Sequence, residues 1–193
     1  MRTPHALVIG SLLAAAHVAG GQPIRMDQFA PSISQLGAGW TSNHVVVLVD
    51  QLNPTNQICN EGEGWLKAAH NVVGKRRGCE AQMVLRYGDG SASVLVWINR
   101  FKDQSSIGGD WGRDKETKVS LDALPKVGDE VRFYQRAGMH NNIAFRRGNY
   151  LVDVEGVSTP IEKLNQLAEV LDGNLVKARG QPAPKGQQPA VAK

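Results

Sequence analysis

Hydrophobic and polar residues follow strand-like patterns over six segments of the chain, which predicts six β-strands. The segments are 44–50, 81–87, 91–101, 130–136, 142–146 and 150–155. In the last one Tyr150, Val152 and Val154 alternate with more polar neighbours, so one face is expected to be buried and the other wet. Segment 91–101 is apolar on both faces of its centre, which is typical of an interior strand covered on both sides.

Two turn signals join these strands into antiparallel pairs. The triplet Gly88-Asp89-Gly90 separates the second and third segments, and a glycine-bearing loop of this length favours a β-hairpin. The sequence RRGN (146–149) separates the last two segments. We expect Gly148 or Asn149 to supply the positive φ angle that a tight turn requires.

Two other segments carry apolar residues at helical spacing. Segment 61–73 is the first, and it ends at a glycine followed by three cations. The second begins after Thr159-Pro160, where Thr159 and Glu162 fit a capping box, and Gly173 is expected to lie at its fraying end. Its apolar stripe consists of Ile161, Leu164, Leu167, Ala168, Leu171 and Leu175.

The order of these elements predicts an α+β fold. Runs of consecutive strands with only two principal helices favour an antiparallel sheet of meanders and hairpins, with both helices packed on one face. Residues 102–118 are polar and glycine-rich, and we expect them to form a long surface loop that exposes Trp111.

The N-terminus has the three-part layout of a secretory signal peptide. Arg2 precedes an apolar run at 6–16, and Val18-Ala19-Gly20 offers small residues at a cleavage point. We therefore expect a signal peptide at 1–20, a single α+β domain at 21–177 and a disordered tail rich in Pro, Gln, Ala and Gly at 178–193. The mature chain is expected to contain no transmembrane segment and to be periplasmic or extracellular.

The net charge and the cysteine content indicate which partners and which covalent links to expect. Loss of Arg2 with the signal peptide lowers the formal net charge from +4 to +3, an excess too small to argue for nucleic acid as a partner. Cys59 and Cys79 lie twenty positions apart, and an oxidising compartment favours a disulfide between them. Two buried thiols or a redox pair are the other interpretations.

The sequence contains no motif typical of an enzyme or a metal site. It has no HxH, HExxH, GxSxG or DxDxDG pattern, so no catalytic residue, metal ligand or cofactor is predicted. The candidate ligand-binding residues are four arginines, two on a later strand and two at a hairpin tip, which are suited to a carboxylate, a phosphate or an acidic polysaccharide if they converge. They are Arg132, Arg136, Arg146 and Arg147. Alternatively these cations keep strand edges soluble.

Several stretches together resemble exported bacterial domains of unknown function. They include LGAGW (36–40), AFRRGNYLVDVEG (144–156) and IEKLNQLAEVLD (161–172). In those domains a strand with an F-x-x-G-N-Y core precedes a closing L-x-x-L-A helix, and the likeness covers most of residues 35–175. The resemblance implies export, a bacterial source and an α+β fold, and it carries over no functional residue.

Three functions remain as hypotheses. The leading one is an exported, non-enzymatic binding or accessory domain whose partner is an anionic small molecule, a glycan or an envelope protein. The second is a small secreted enzyme, hydrolase-like, with a site assembled from His70, His140 and an acid distant in sequence. The third is an envelope scaffold, which predicts a large exposed apolar patch.

The signal-peptide hypothesis predicts the N-terminus of the exported protein. Cleavage after Gly20 gives a chain that begins at Gly21, because small residues precede the cut. Mass spectrometry of the protein recovered from outside the cytoplasm measures this terminus directly. Recovery of exported chains that still begin with Met1 would contradict the prediction.

Overall fold

Seven strands form one antiparallel sheet in the computed structural model, which describes residues 24–89, 92–111, 124–136 and 140–180. The strands are β1 (Ser42–Asp50), β2 (Ile58–Cys59), β3 (Cys79–Asp89), β4 (Ala92–Phe101), β5 (Glu130–Arg136), β6 (His140–Arg147) and β7 (Tyr150–Val157). Their order across the sheet is β2-β1-β3-β4-β7-β6-β5. The predicted signal peptide and residues 181–193 of the predicted tail lie outside the described residues.

Helices flank this sheet. They are α1 (Ile33–Leu36), α2 (Glu63–Lys75), α3 (Gly108–Trp111) and α4 (Ile161–Gly180), with 3₁₀ turns at Met26–Phe29, Pro54–Asn56 and Gln104–Ile107. Within the described part of the chain, no helix has both the length and the apolar character needed to cross a membrane. The α4 helix continues through Gly173, because Leu175 and Ala178 are buried beyond it. Residues 178–180 are therefore helical and do not belong to the tail.

The predicted class, an α+β fold built on an antiparallel sheet, is confirmed. The finer prediction that both principal helices pack on one face is wrong. The α4 helix packs on the face that carries Met83 and Leu85, whereas α2 packs on the opposite face, which carries Val84. The central strands are apolar on both sides, so each face requires its own cover. The interior position predicted for segment 91–101 is confirmed, since β4 lies between β3 and β7.

A glycine allows the closing helix to approach the sheet. A Cβ atom at Gly156 of β7 would lie 2.7 Å from Thr159 Cβ and 2.8 Å from Leu164 Cδ2. Thr159 is buried, and its hydroxyl donates to the Val157 carbonyl at 3.3 Å. Close packing at the start of α4 therefore depends on the missing side chain at Gly156.

The predicted disulfide between Cys59 and Cys79 does not form. The Cys59 thiol donates to the Gly62 carbonyl at 3.2 Å, and the Cys79 thiol donates to the Ala81 carbonyl at 3.5 Å. Cys59 lies opposite Val47 of β1, and Val47 lies opposite Val84 of β3. Cys79 is five residues from Val84, so the two cysteines lie about 16 Å apart along the strands and two strand spacings, about 9.5 Å, across them. A disulfide requires Cα atoms within about 7 Å. The α2 helix carries the chain over this distance.

A buried ion pair links the first half of the sheet to its centre. Arg100 of β4 donates to both carboxylate oxygens of Asp50 of β1, at 2.5 and 3.2 Å. Ala81 of β3 lies opposite both residues, and its small side chain leaves room for the contact above the strand between them. The side chains of Arg100 and Asp50 are only 4% and 0% exposed.

Replacing Arg100 tests how much this ion pair contributes to stability. The Arg100→Met variant leaves the Asp50 carboxylate buried without its cation, which is expected to cost about 3–5 kcal/mol of unfolding free energy. The matched control is Arg25→Met, since Arg25 pairs with Asp27 but its side chain is 54% exposed. That change is expected to cost less than about 1 kcal/mol. Urea unfolding measures both variants, and equal losses would contradict the prediction.

Candidate ligand-binding cavity

A cavity of about 280 Å³ lies on the face of the sheet that α2 partly covers, and it is partly open to solvent. Val72 of α2 and Arg76, which directly follows this helix, form one wall, and Trp111 of α3 forms another. The floor consists of side chains from five neighbouring strands. They are Gln82, Trp97, Asn99, Arg132, Tyr134, Ala144, Leu151, Asp153 and Glu155.

The strand register places these floor residues in rows across the sheet. Asp153 of β7 lies opposite Trp97 of β4 on one side and Ala144 of β6 on the other, and Arg132 of β5 follows Ala144. Ala144 is the smallest side chain in this row. It leaves space above β6, so the cavity deepens between Asp153 and Arg132.

Two carboxamides form a buried polar pair at one end of the floor. Gln82 Nε2 donates to Asn99 Oδ1 at 2.8 Å, and the two residues are 3% and 4% exposed. Each carboxamide has two N–H donors and a carbonyl acceptor, so this single bond uses only part of their capacity. The pair therefore presents directional hydrogen-bonding groups to a ligand at little cost in side-chain freedom.

Tyr134 fixes the carboxylate at the centre of the floor. Its hydroxyl donates to Asp153 Oδ2, reaching diagonally across β6 from β5 to β7. Tyr134 is itself buried. A carboxylate held by a buried phenol has a defined orientation before any ligand arrives, which favours binding.

The wall near β5 consists of the Trp111 indole and the charged side chains around it. The Arg132 guanidinium lies 4.3 Å from the centroid of the Trp111 ring and also donates to the Trp111 carbonyl. Glu130 accepts from Arg132 at 3.0 Å and pairs with Arg146 at 2.8 Å. The pKa of the Glu130 carboxyl lies below its ordinary value, because the Trp111 indole and then Arg132 and Arg146 stabilise the carboxylate. Trp111 is half-buried, in contrast to the exposed position expected for it.

The structure places two of the four arginines predicted to bind a ligand at this cavity. Arg132 lines the cavity, and Arg146 lies beside it, 5.8 Å from the Trp111 ring centroid. Arg147 is engaged elsewhere, as described next, and the side chain of Arg136 lies outside what the structure describes.

Arg147 is a structural residue that joins β6 to α4. Its Nε donates to Asp172 Oδ1 at 2.8 Å, its terminal nitrogen donates to Asp172 Oδ2, and Asp129 lies 3.4 Å away. The hydrogen bonds to Asp172 raise the pKa of Arg147 above its ordinary value. The neighbouring Gly148 has a φ of 58°, which confirms the predicted turn, and its N–H donates to Asp129 at 2.7 Å.

The structure describes one of the two histidine side chains of the hydrolase hypothesis, and that side chain does not line this cavity. His70 is exposed on α2 and does not line the cavity, and the side chain of His140 lies outside the described part. His44 pairs with Glu61 at 2.5 Å on the surface. Among the described residues, no group of three or more His, Cys, Asp or Glu side chains is arranged to hold a metal ion.

Sequence reasoning missed the carboxamide pair and the role of Trp97. A signal was present, because Gln82 and Asn99 are polar residues within otherwise apolar strand segments. Buried polar groups require partners, so such positions indicate either a partner or a ligand. Asp153 and Glu155 were predicted to lie on a wet strand face, and that face is the floor of the cavity.

Comparison with known proteins assigns no family to this geometry. The sequence matches no protein-family model, and no curated protein matches it significantly. The function is therefore argued from the residues of the cavity. The likeness to exported bacterial domains stays an expectation.

Replacing Arg147 tests its structural role. The Arg147→Ala variant loses two charged hydrogen bonds to α4, which is expected to cost about 1–2 kcal/mol and to lower Tm by about 3–6 °C. Arg77 is exposed after α2, so Arg77→Ala is the matched control and should change Tm by less than about 1 °C. Differential scanning calorimetry measures both. An unchanged Tm for Arg147→Ala would mean that the contact with Asp172 contributes no stability.

Proposed function

We propose that this protein is an exported, non-enzymatic binding domain that holds a small, uncharged polar ring compound in the cavity. One observation carries the proposal: the cavity combines oriented polar side chains on its floor with two indoles, Trp97 on the floor and Trp111 on one wall. Small-molecule sites combine an apolar surface with a few well-placed polar groups in this way. Export is supported by the signal-peptide pattern at 1–20.

The side chains favour a ligand with one apolar face and a polar edge. Trp97 is half-buried and packs against Trp65, with ring centroids 5.6 Å apart, so its indole is held in place. A rigid indole offers a flat surface to the C–H face of a ring compound. The edge of such a ligand meets Asp153 and the carboxamides of Gln82 and Asn99, which suit hydroxyl or amide groups.

The charges of the cavity favour a neutral ligand over an anionic one. Arg76 and Arg132 are matched by Asp153 and Glu155 among the lining residues. Arg132 is also paired with Glu130. An anion in this cavity would lie near two carboxylates, which opposes binding. The anionic small molecule considered from the sequence is therefore the weaker candidate, and a neutral glycan unit is the stronger one.

The other two hypotheses find less support. The secreted hydrolase needs a histidine near an acid in the cavity, and His70 is exposed away from it. The scaffold needs one large apolar patch. Among the described residues, the exposed large hydrophobic side chains come from three separate places, at Leu52, Val157 and Val176.

A ligand screen with a cavity-filling variant tests the proposal. The mature chain is mixed with glucose, galactose, N-acetylglucosamine, glucuronate, amino acids or inorganic phosphate, and Tm is measured. A neutral sugar is expected to raise Tm, because a ligand that binds only the folded state stabilises it by mass action. In Ala144→Leu the larger side chain fills the floor, so the increase in Tm should disappear.

The control for this variant is Ala68→Leu on the exposed side of α2. It should retain the ligand-dependent increase, and circular dichroism checks that both variants are folded. Stabilisation by phosphate or glucuronate alone would overturn the neutral-ligand proposal. Release of cleaved sugar from oligosaccharides would overturn the non-enzymatic part and favour the hydrolase.

A further inference from the structure

A second cleft adjoins the cavity on the same face of the sheet. It has a volume of about 380 Å³ and shares Glu155 with the cavity. Its other lining residues are Arg86, Ser93, Leu95 and Val157. Glu155 is therefore the side chain at which the two spaces meet.

The strand geometry places the cavity and the cleft next to each other along β7. Asp153, Glu155 and Val157 are alternate residues of β7, so their side chains lie on one face. Asp153 belongs to the cavity and Val157 to the cleft, and four residues of strand separate them by about 13 Å. A ligand of one ring would occupy only part of this distance, whereas a ligand of two linked rings would extend from the cavity into the cleft.

We propose that the site binds a carbohydrate chain of at least two sugar units, with the first unit in the cavity and the second in the adjoining cleft. This inference rests on the proposed function. The carboxylate of Glu155 lies at the junction and accepts hydrogen bonds from hydroxyls of both units. The second unit places its C–H face against Leu95 and Val157 and its hydroxyls toward Ser93 and Arg86.

The side chains of the cleft suit this second unit. Val157 is 43% exposed and Leu95 is half-buried, so both offer apolar surface beside polar groups. Arg86 donates to Glu61 at 2.6 Å, which neutralises its charge, and its guanidinium has further N–H donors. The cleft therefore combines apolar surface with hydrogen-bonding groups, which suits a second sugar unit.

Other extended ligands fit this path less well. A peptide bound as an added strand needs the unpaired backbone groups of a sheet edge, whereas β4 and β7 each pair with neighbours on both sides. A nucleic acid would bring phosphates toward Asp153 and Glu155. A lipid chain would desolvate these carboxylates without pairing them.

Calorimetric titration of the mature protein with sugars of increasing length tests the inference. The probes are glucose and N-acetylglucosamine, together with the β-1,4-linked dimer and trimer of each. In at least one series the dimer is expected to bind about tenfold tighter than the monomer, or more, because the second ring adds contacts in the cleft. The mature chain should leave every probe intact.

A pair of valine variants locates the second unit. Val157→Arg places a long charged side chain over the cleft, so the gain from monomer to dimer should disappear while monomer affinity stays within about twofold. Val176→Arg is the matched control, because Val176 is 51% exposed on α4, which packs on the other face of the sheet. It should retain the full gain.

The outcomes distinguish this inference from the function on which it rests. Equal affinity for monomer and dimer in the wild type overturns the two-unit inference and leaves the cavity function in place. A gain that survives in Val157→Arg also overturns it, since the second unit then lies elsewhere. Failure of every sugar to bind overturns the proposed function itself.

Discussion

The ion pair between Asp50 and Arg100 is the constraint on which the arrangement of the sheet depends. It is buried at one end of these strands, and it joins β1 to β4 across Ala81 of β3. Asp50 also accepts from the backbone N–H of Leu52, and Arg100 donates to the carbonyl of Ile24. A one-residue slip of either strand would turn one charge to the opposite face and leave the other buried alone. The pair therefore fixes the register.

That register determines which residues form the floor of the cavity. With Arg100 on the face covered by α4, Asn99 must lie on the opposite face, and Gln82 lies beside it in the next strand. The first face is closed by α4 and the N-terminal segment, which bury a continuous apolar core. On the second face α2 lies over β1 and β3, so the floor toward β7 and β6 remains open between α2 and α3. The cavity lies on a part of this face that α2 leaves uncovered in the described structure.

Much of the fold could be predicted from the sequence, because strand and helix periodicities are local properties of the chain. The six long strands, both principal helices and the turn at Gly148 are examples. The two-residue strand β2 is too short to carry a pattern. The separation of Cys59 from Cys79 and the side of the sheet that each helix covers depend on pairing between distant segments. The wet face of β7 was predictable, because it follows from local alternation along one strand. The contact of Tyr134 with Asp153 was not, because it joins residues of two different strands.

The two arginines of RRGN show why adjacency in sequence misleads about a binding site. Successive residues of a strand point to opposite faces, so Arg146 and Arg147 of β6 are divided between the two layers. Arg146 turns to Glu130 at the wall of the cavity, and Arg147 turns to Asp172 of α4. Each guanidinium is neutralised by a carboxylate on its own side. A ligand on one face therefore contacts side chains that are two residues apart along a strand. On β7 these side chains are Asp153 and Glu155. Their carboxylates accept hydrogen bonds, so they favour a ligand with hydroxyl donors over an anion.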